Sequence, residues 1–171
     1  MTKRIINVLA LCVLSGCAST YKNEVLVKSD NSLYSNLSVF IATPANGSYG
    51  GKTYANSGES TANAVRSAFM RYVDQVEVSR KCQDMECLKS ESNGNYGYLV
   101  VPYILHWEDR ATEWSGLKDK LEIKIVVYSI DGTEVSSTII YGKSKWATFG
   151  GDHPQDLLPE PIKQYVQGLY K

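Results

Sequence analysis

The sequence predicts an α/β (α+β) sandwich: a mixed sheet of about five strands, a crossover helix and a C-terminal helix. Three observations carry this. A short apolar run is followed by an amphipathic stretch and a second apolar run, the signature of a strand–helix–strand unit. A long segment alternates apolar and polar residues on either side of an Asp-Gly turn. The last residues form a single apolar stripe at helical spacing.

Taken in order, "LSVFIATP", Leu37 to Pro44, is apolar and β-branched and reads as a buried strand. Helix-capping chemistry at Ser57 opens a segment in which Val65, Ala68, Phe69, Tyr72 and Val73 recur at i, i+3, i+4, i+7 and i+8. "VEVSR" from Val76 is a second strand. "YGYLVVPYILHWED", Tyr96 to Asp109, is apolar on both parities in its first part, as a central strand covered on both faces would be, with a bulge or unpaired stretch expected at Pro102. Leu121, Ile123, Ile125 and Val127 alternate with Glu122 and Lys124. A three-residue loop, Ile130-Asp131-Gly132, is expected to pair Val127 with Val135 and Ile123 with Ile139. Ile162, Tyr165, Val166 and Leu169 share one helical face behind prolines suited to a helix start.

The N-terminus gives an address. Lys3 and Arg4 precede a stretch from Ile5 to Leu14 that is too short to span a bilayer core of about 30 Å, which takes about 20 helical residues. It ends in Leu14-Ser15-Gly16-Cys17, which resembles the lipobox of bacterial lipoproteins. That resemblance implies a signal peptide over 1–16, lipidation of Cys17 with acyl chains such as palmitate, and, because Ala18 rather than aspartate follows, delivery to the outer membrane on its periplasmic face. Several acyl chains on one cysteine make a durable anchor, since each buried CH₂ adds roughly 0.8 kcal/mol. Residues 17–36 then form a mostly polar tether in which Val25-Leu26-Val27 is a candidate edge strand, and 37–171 form a single periplasmic domain.

The whole chain has 18 basic and 18 acidic side chains. Such a balance lacks the basic footprint of a nucleic-acid binder. Of the four cysteines, Cys82 and Cys87 remain in "KCQDMEC" once the leader and the lipidation site are set aside, and an oxidising compartment favours a disulfide between them.

"NGSYGGKT", Asn46 to Thr53, sits where a nucleotide-binding loop would. It fails the pattern, because the first glycine should stand at Asn46, Gly47 is one residue out, and polar turn residues separate Lys52 from the helix. No nucleotide is expected. Glu108 and Glu113, flanked by Trp107 and Trp114, have the residue types of a glycosidase pair. His106 and His153 with Asp109 and Asp152 have those of a metal site, but without ligand spacing. No cofactor or metal is expected.

If the strand at Leu37 runs parallel to the strand at Tyr96, three loops meet at one edge of the sheet: "NGSYGGKTYANSG", "EDRATEWSG" and "WATFGGDHPQD". Ligands of α/β sheets favour the carboxyl ends of strands. The candidate binding edge is therefore Tyr49, Tyr54, Trp107, Glu108, Asp109, Arg110, Glu113, Trp114, Trp146, Phe149, Asp152 and His153.

The lipobox, "SGEST" with "ANAV", "VVPYILHWEDRATEWSG", "EIKIVVY" and "GKSKWATFGGDHPQDLLPEPI" together resemble a family of Gram-negative lipoproteins defined by a domain of unknown function (4823). The strand order is also similar to that of the penicillin-binding-protein activator and curli-secretion lipoproteins, although the tether is short and no long amphipathic hairpin is present. The expectation is a lipoprotein, not an enzyme, anchored in the membrane through Cys17. It would bind another envelope component, a protein or a glycan such as peptidoglycan. The alternatives are an envelope hydrolase using Glu108 and Glu113, and a homo-oligomer joined through "SSTIIYG" as an exposed edge strand.

Overall fold

The computed structural model describes residues 18–110, 117–145 and 153–171. Among these residues are eight strands: β1 (Thr20–Val27), β2 (Val39–Ile41), β3 (Ser48–Tyr49), β4 (Lys52–Thr53), β5 (Val76–Val78), β6 (Tyr98–Glu108), β7 (Lys120–Ser129) and β8 (Glu134–Lys143). The helices are α1 (Ser57–Phe69), α2 (Met85–Ser92) and α3 (Pro159–Leu169), the last preceded by a 3₁₀ turn over Pro154–Leu157. Six strands form a mixed sheet in the order β1-β8-β7-β6-β2-β5, and β3 and β4 form a separate small hairpin.

The sheet is covered unequally. Val39, Ile41, Val100, Ile123, Ile125, Val127 and Ile140 face α1 and α3, and close a core with Val65, Phe69, Ile162 and Val166. On the other face, α2 covers only the β2–β6 region, where Phe40, Leu99 and Val101 meet Leu88 and Cys82. Both parities of β2 and of the first half of β6 are therefore buried, as their continuous apolar runs require.

The α1 stripe is buried as expected at Val65, Ala68, Phe69 and Val73, but its start differs. Ser57 is the first helical residue, and its hydroxyl accepts from the Gly47 N–H at 2.8 Å. The capping acceptor comes from a distance: Asn46 Oδ1 takes the Gly58 N–H at 3.0 Å. Glycine is required at position 58, where a Cβ would stand 2.1 Å from the Pro44 carbonyl oxygen. The glycine-rich loop thus closes the helix start. It turns through Gly50 and Gly51, both at positive φ (58° and 80°), between the two short strands.

Strand register supplies three corrections. The Ile130-Asp131-Gly132 loop forms as expected: the Gly132 N–H bonds the Ser129 carbonyl at 3.0 Å, and Gly132 has φ +97°. Past it, however, Tyr128 pairs with Glu134 and Val127 with Ser136, so the register slips by one, with Val135 the extra residue, and Ile123 meets Ile140 rather than Ile139. The slip turns Ser136 and Thr138 toward α3 and β1. There Ser136 accepts from the Tyr165 hydroxyl at 3.0 Å, and both serine and threonine hydroxyls donate to β1 carbonyls. Small hydroxylated side chains satisfied in this way can be buried, which an alternation rule reads as exposure.

Second, Pro102 is paired opposite Ile125, and the bulge lies three residues later at Leu105. The Val100 carbonyl accepts from Ala42 at 2.9 Å, so even-numbered positions here direct their backbone groups at β2. By Pro102 that strand has ended, and the missing N–H interrupts no ladder. Third, β8 is no edge. It pairs with β7 on one side and β1 on the other, so "SSTIIYG" is internal. The edge on this side is β1, which contains the Val25-Leu26-Val27 run expected as an edge strand but begins earlier, at Thr20.

Candidate functional site

Beyond the Leu105 bulge, β6 alternates so that Trp107 and Asp109 point to the helix side, and His106, Glu108 and Arg110 to the other. Trp107 is only 2 % exposed and belongs to the core. It also lines the floor of the groove at this edge. Gly47 lets the loop pass over it, since a Cβ there would lie 2.5 Å from the Trp107 Cβ. Tyr54, Asp109 and His153 do meet at the edge, around a groove of about 590 Å³ that Lys52 and Gln155 also line. His153 Nδ1 is 3.5 Å from Asp109 Oδ1, and Lys52 lies over the Tyr54 ring at 4.7 Å. A larger concavity, about 970 Å³, lies at the opposite end of the sheet, between the segment around Tyr34 and the β7–β8 turn.

The other face of the same strand end carries a buried ion cluster. Glu108 is 2 % exposed. Its carboxylate is 2.9 Å from His106 Nε2, 3.0 Å from Arg110 Nε and 3.3 Å from Lys120 Nζ. Tyr49 completes the group, with its ring edge-on to His106 at 5.1 Å and its hydroxyl accepting from Arg110 Nη1 at 3.2 Å. Burial alone would raise the Glu108 carboxyl. The His106 and Lys120 hydrogen bonds, with the charges of Lys120 and Arg110, outweigh it and hold the group below its ordinary value. A general acid at neutral pH needs the opposite shift.

Asp119, fully buried, ties the strand ends together. It accepts the Arg110 N–H at 2.6 Å, and its own N–H donates to Ser144 Oγ at 2.9 Å. Neither Asp119 nor Ser144 carries a sequence motif; only the β6–β7–β8 pairing brings them into contact.

Of the candidate edge, Tyr49, Tyr54, Asp109, Arg110 and His153 come together at one end of the sheet, with Glu108 beneath. Cys17, Glu113, Trp114, Trp146, Phe149 and Asp152 lie outside the described residues. The two histidines fall on opposite faces of β6 and do not share a site. The one trio of potential metal ligands among the described residues is Cys82, Cys87 and Glu91, and its two sulfurs are joined in a disulfide with a Cα separation of 5.3 Å. Asp84 caps α2 within that short loop by accepting the Cys87 N–H at 2.8 Å. No helix among the described residues is long and apolar enough to cross a membrane.

Among solved structures, the fold is similar to that of the PelC dodecamer from Paraburkholderia phytofirmans, at 11% identity and a TM-score of 0.67 over 89% of this chain and 97% of that one. A point variant of that protein matches equally, at 0.67 and 11% identity over 89% of this chain and 98% of its own. Protein XCC0632 from Xanthomonas campestris, of a second family (DUF330), is similar at 13% identity and 0.50 over 85% of this chain and 91% of that one. At such identities the likeness is one of fold. No curated protein matches the sequence. The family described as a domain of unknown function (DUF4823) matches residues 31–169, and the chain belongs to it.

Proposed function

We propose that this is an envelope lipoprotein, held through Cys17 at the periplasmic face of the outer membrane, whose domain is a binding module for another envelope component, protein or glycan. The observation that carries the reading is the convergence of Tyr54, Asp109 and His153 on one groove at the carboxyl end of β6, where ligands of α/β sheets settle. The deprotonated Glu108, countered by Arg110 and Lys120, favours binding over acid–base chemistry. A photo-crosslinking amino acid at Tyr54 or His153, with Glu86 on α2 as a remote control, tests it in cells. A discrete adduct from the two groove positions alone supports the reading; equal labelling at all three, or none, overturns it. The anchor is tested separately by Cys17→Ala, which should move the chain from the membrane to the soluble fraction.

A second reading, self-assembly, is favoured by the edge strand. Val25, Leu26 and Val27 on β1 are 58, 46 and 37 % exposed, an apolar stretch on an unpaired strand edge. The similar fold of PelC occurs as a dodecamer. The mass of the protein in solution, with and without Val25→Lys, decides it: a monomer in both cases removes this reading.

A further inference from the structure

The end of the sheet at which the chain enters is also the end at which the groove opens. Thr20, the first residue of β1, is registered opposite Lys143; Lys143 is opposite Lys120, and Lys120 opposite Glu108. One row across four strands therefore joins the start of β1 to the end of β6. Cys17 is three residues before Thr20, so the chain reaches at most about 10 Å between them. This rests on the anchor reading above. Given a lipid on Cys17, the strand row Thr20–Lys143–Lys120–Glu108 lies against the leaflet, and the opposite end of the sheet points away from it.

The charges at this end are sorted by depth. Among the described residues of the strand ends, the acidic groups face inward: Glu108 and Asp119 are buried, at 2 and 0 % exposure, and Asp109 is 28 % exposed beside His153; Asp156, on the turn before α3, is exposed and accepts the His153 N–H. The ammonium groups face outward. Lys143 and Lys145 are exposed, Lys118 is half-buried and Lys120 is 46 % exposed. Lys120 and Lys143 are direct cross-strand neighbours, an arrangement that repels unless an anion lies between or above the pair. Glu108 answers Lys120 only. Among the described residues, Lys118, Lys143 and Lys145 form no ion pair with a carboxylate. Leu117, 45 % exposed, adds an apolar side chain beside them. At the far end the β7–β8 turn instead presents Asp131 and Glu134, with Lys89 bonded to the Asp131 carbonyl.

We infer that the rim formed by Lys118, Lys120, Lys143 and Lys145 is a membrane-apposed surface that seats the phosphate headgroups of the leaflet holding the anchor. The rim fixes the orientation of the domain and sets the groove mouth at the headgroup level. A lipid on a two-residue linker, Ala18-Ser19, would by itself leave the domain free to rotate about its attachment. A row of cations over anionic headgroups removes that freedom at little cost, since each basic residue near such a surface is attracted within a Debye length.

The test is photo-crosslinking of the full-length protein in cells from positions 118 and 145, with Ile130 at the opposite end as control, and adducts identified by mass. Phospholipid adducts from the first two positions and none from Ile130 are expected. Protein or glycan adducts without lipid at 118 and 145, or lipid at all three, overturn the proposal. A second arm uses the secreted Cys17→Ala form with vesicles of phosphatidylglycerol and phosphatidylethanolamine. Binding should weaken with salt and fall at least about ten-fold in Lys120→Glu/Lys143→Glu/Lys145→Glu. Equal binding by that variant, its fold checked by circular dichroism, counts against the rim. The two readings fail separately. A wild-type chain that is anchored but gives no lipid adduct sinks the rim alone. A Cys17→Ala chain that stays in the membrane fraction until the lysines are reversed sinks the anchor alone.

Discussion

The Glu108 carboxylate and the His106 imidazole meet at 2.9 Å on the face of β6 opposite Trp107, and their contact centres a cluster in which one buried anion answers two partly hydrated cations, Arg110 and Lys120, and an imidazole. Replacing Glu108 by glutamine keeps the shape and removes the charge. We expect a loss of about 2 kcal/mol, below the 3–5 kcal/mol of a fully buried pair because Arg110 and Lys120 retain water. Urea denaturation measures it. The pH dependence follows from the lowered carboxyl. A depressed folded-state value contributes stability that is complete above the unfolded carboxylate range near 4.5 and is lost as pH falls through the lower folded value. The acid limb of the wild-type stability curve should therefore be steeper than that of Glu108→Gln. Crosslinking from the groove should survive the same substitution, whereas a hydrolase built on Glu108 would lose turnover.

Two glycines should respond with opposite signs. Gly58→Ala places a methyl 2.1 Å from the Pro44 carbonyl oxygen, backbone that can move only by lifting the Asn46 cap from α1. The expected cost is about 3 kcal/mol, the upper range for overpacking. Gly168 lies in α3 with nothing within 4 Å of its would-be Cβ, so Gly168→Ala should stabilise by about 0.5–1 kcal/mol through helix propensity. Thermal unfolding of the pair, read against wild type, checks both.

Reduction of Cys82–Cys87, or the double change to serine, should cost about 2 kcal/mol by the loop-entropy estimate for so short a ring. The loss should appear first in hydrogen exchange at α2, because the bond ties the start of that helix to the segment after β5. Uniform loss of protection across the sheet would show instead that α2 is essential to the whole fold.

Tyr165 joins α3 to the sheet through Ser136 at 3.0 Å. Burial pushes its phenol up to about 12, with the Ser136 hydrogen bond partly opposing. A raised folded-state value contributes stability that is complete below the unfolded value near 10 and disappears as pH climbs through about 12. Tyr165→Phe should cost about 1 kcal/mol at neutral pH and flatten the alkaline limb, which a spectrophotometric titration paired with denaturation would reveal.

The sequence made α1, α3 and the β6–β7–β8 meander legible, because their apolar residues repeat at periods that leave one solution for the buried face. It concealed the features that depend on distant satisfaction of polar groups. Ser136 and Thr138 read as solvent-facing until β1 and Tyr165 supply their partners. Asn46 shows no local sign that it caps a helix beginning eleven residues later. Of β1, only Val25-Leu26-Val27 reads as an edge strand; its first half reads as tether because its letters are polar and every residue is exposed. At the site, the meeting of Tyr54, Asp109 and His153 beyond the end of β6 followed from topology. The Glu108 cluster did not, since its members come from β3, β6, β7 and the segment after β6, and its charged members resemble a solvated charge run in one dimension.

The bulge at Leu105 works as a frameshift within β6. A strand is read two residues at a time, and Ile104 and Trp107 both face the core only because one extra residue intervenes. Inserting one further residue between them would transpose the frame, sending the Glu108 carboxylate into hydrocarbon and the indole of Trp107 into water, whereas removing Leu105 would leave Ile104 opposite Ile123 and His106 opposite Glu122, with both faces kept. Length in this segment is therefore constrained in one direction: loss of the exposed Leu105 should be tolerated, while a one-residue insertion should be lethal to the fold.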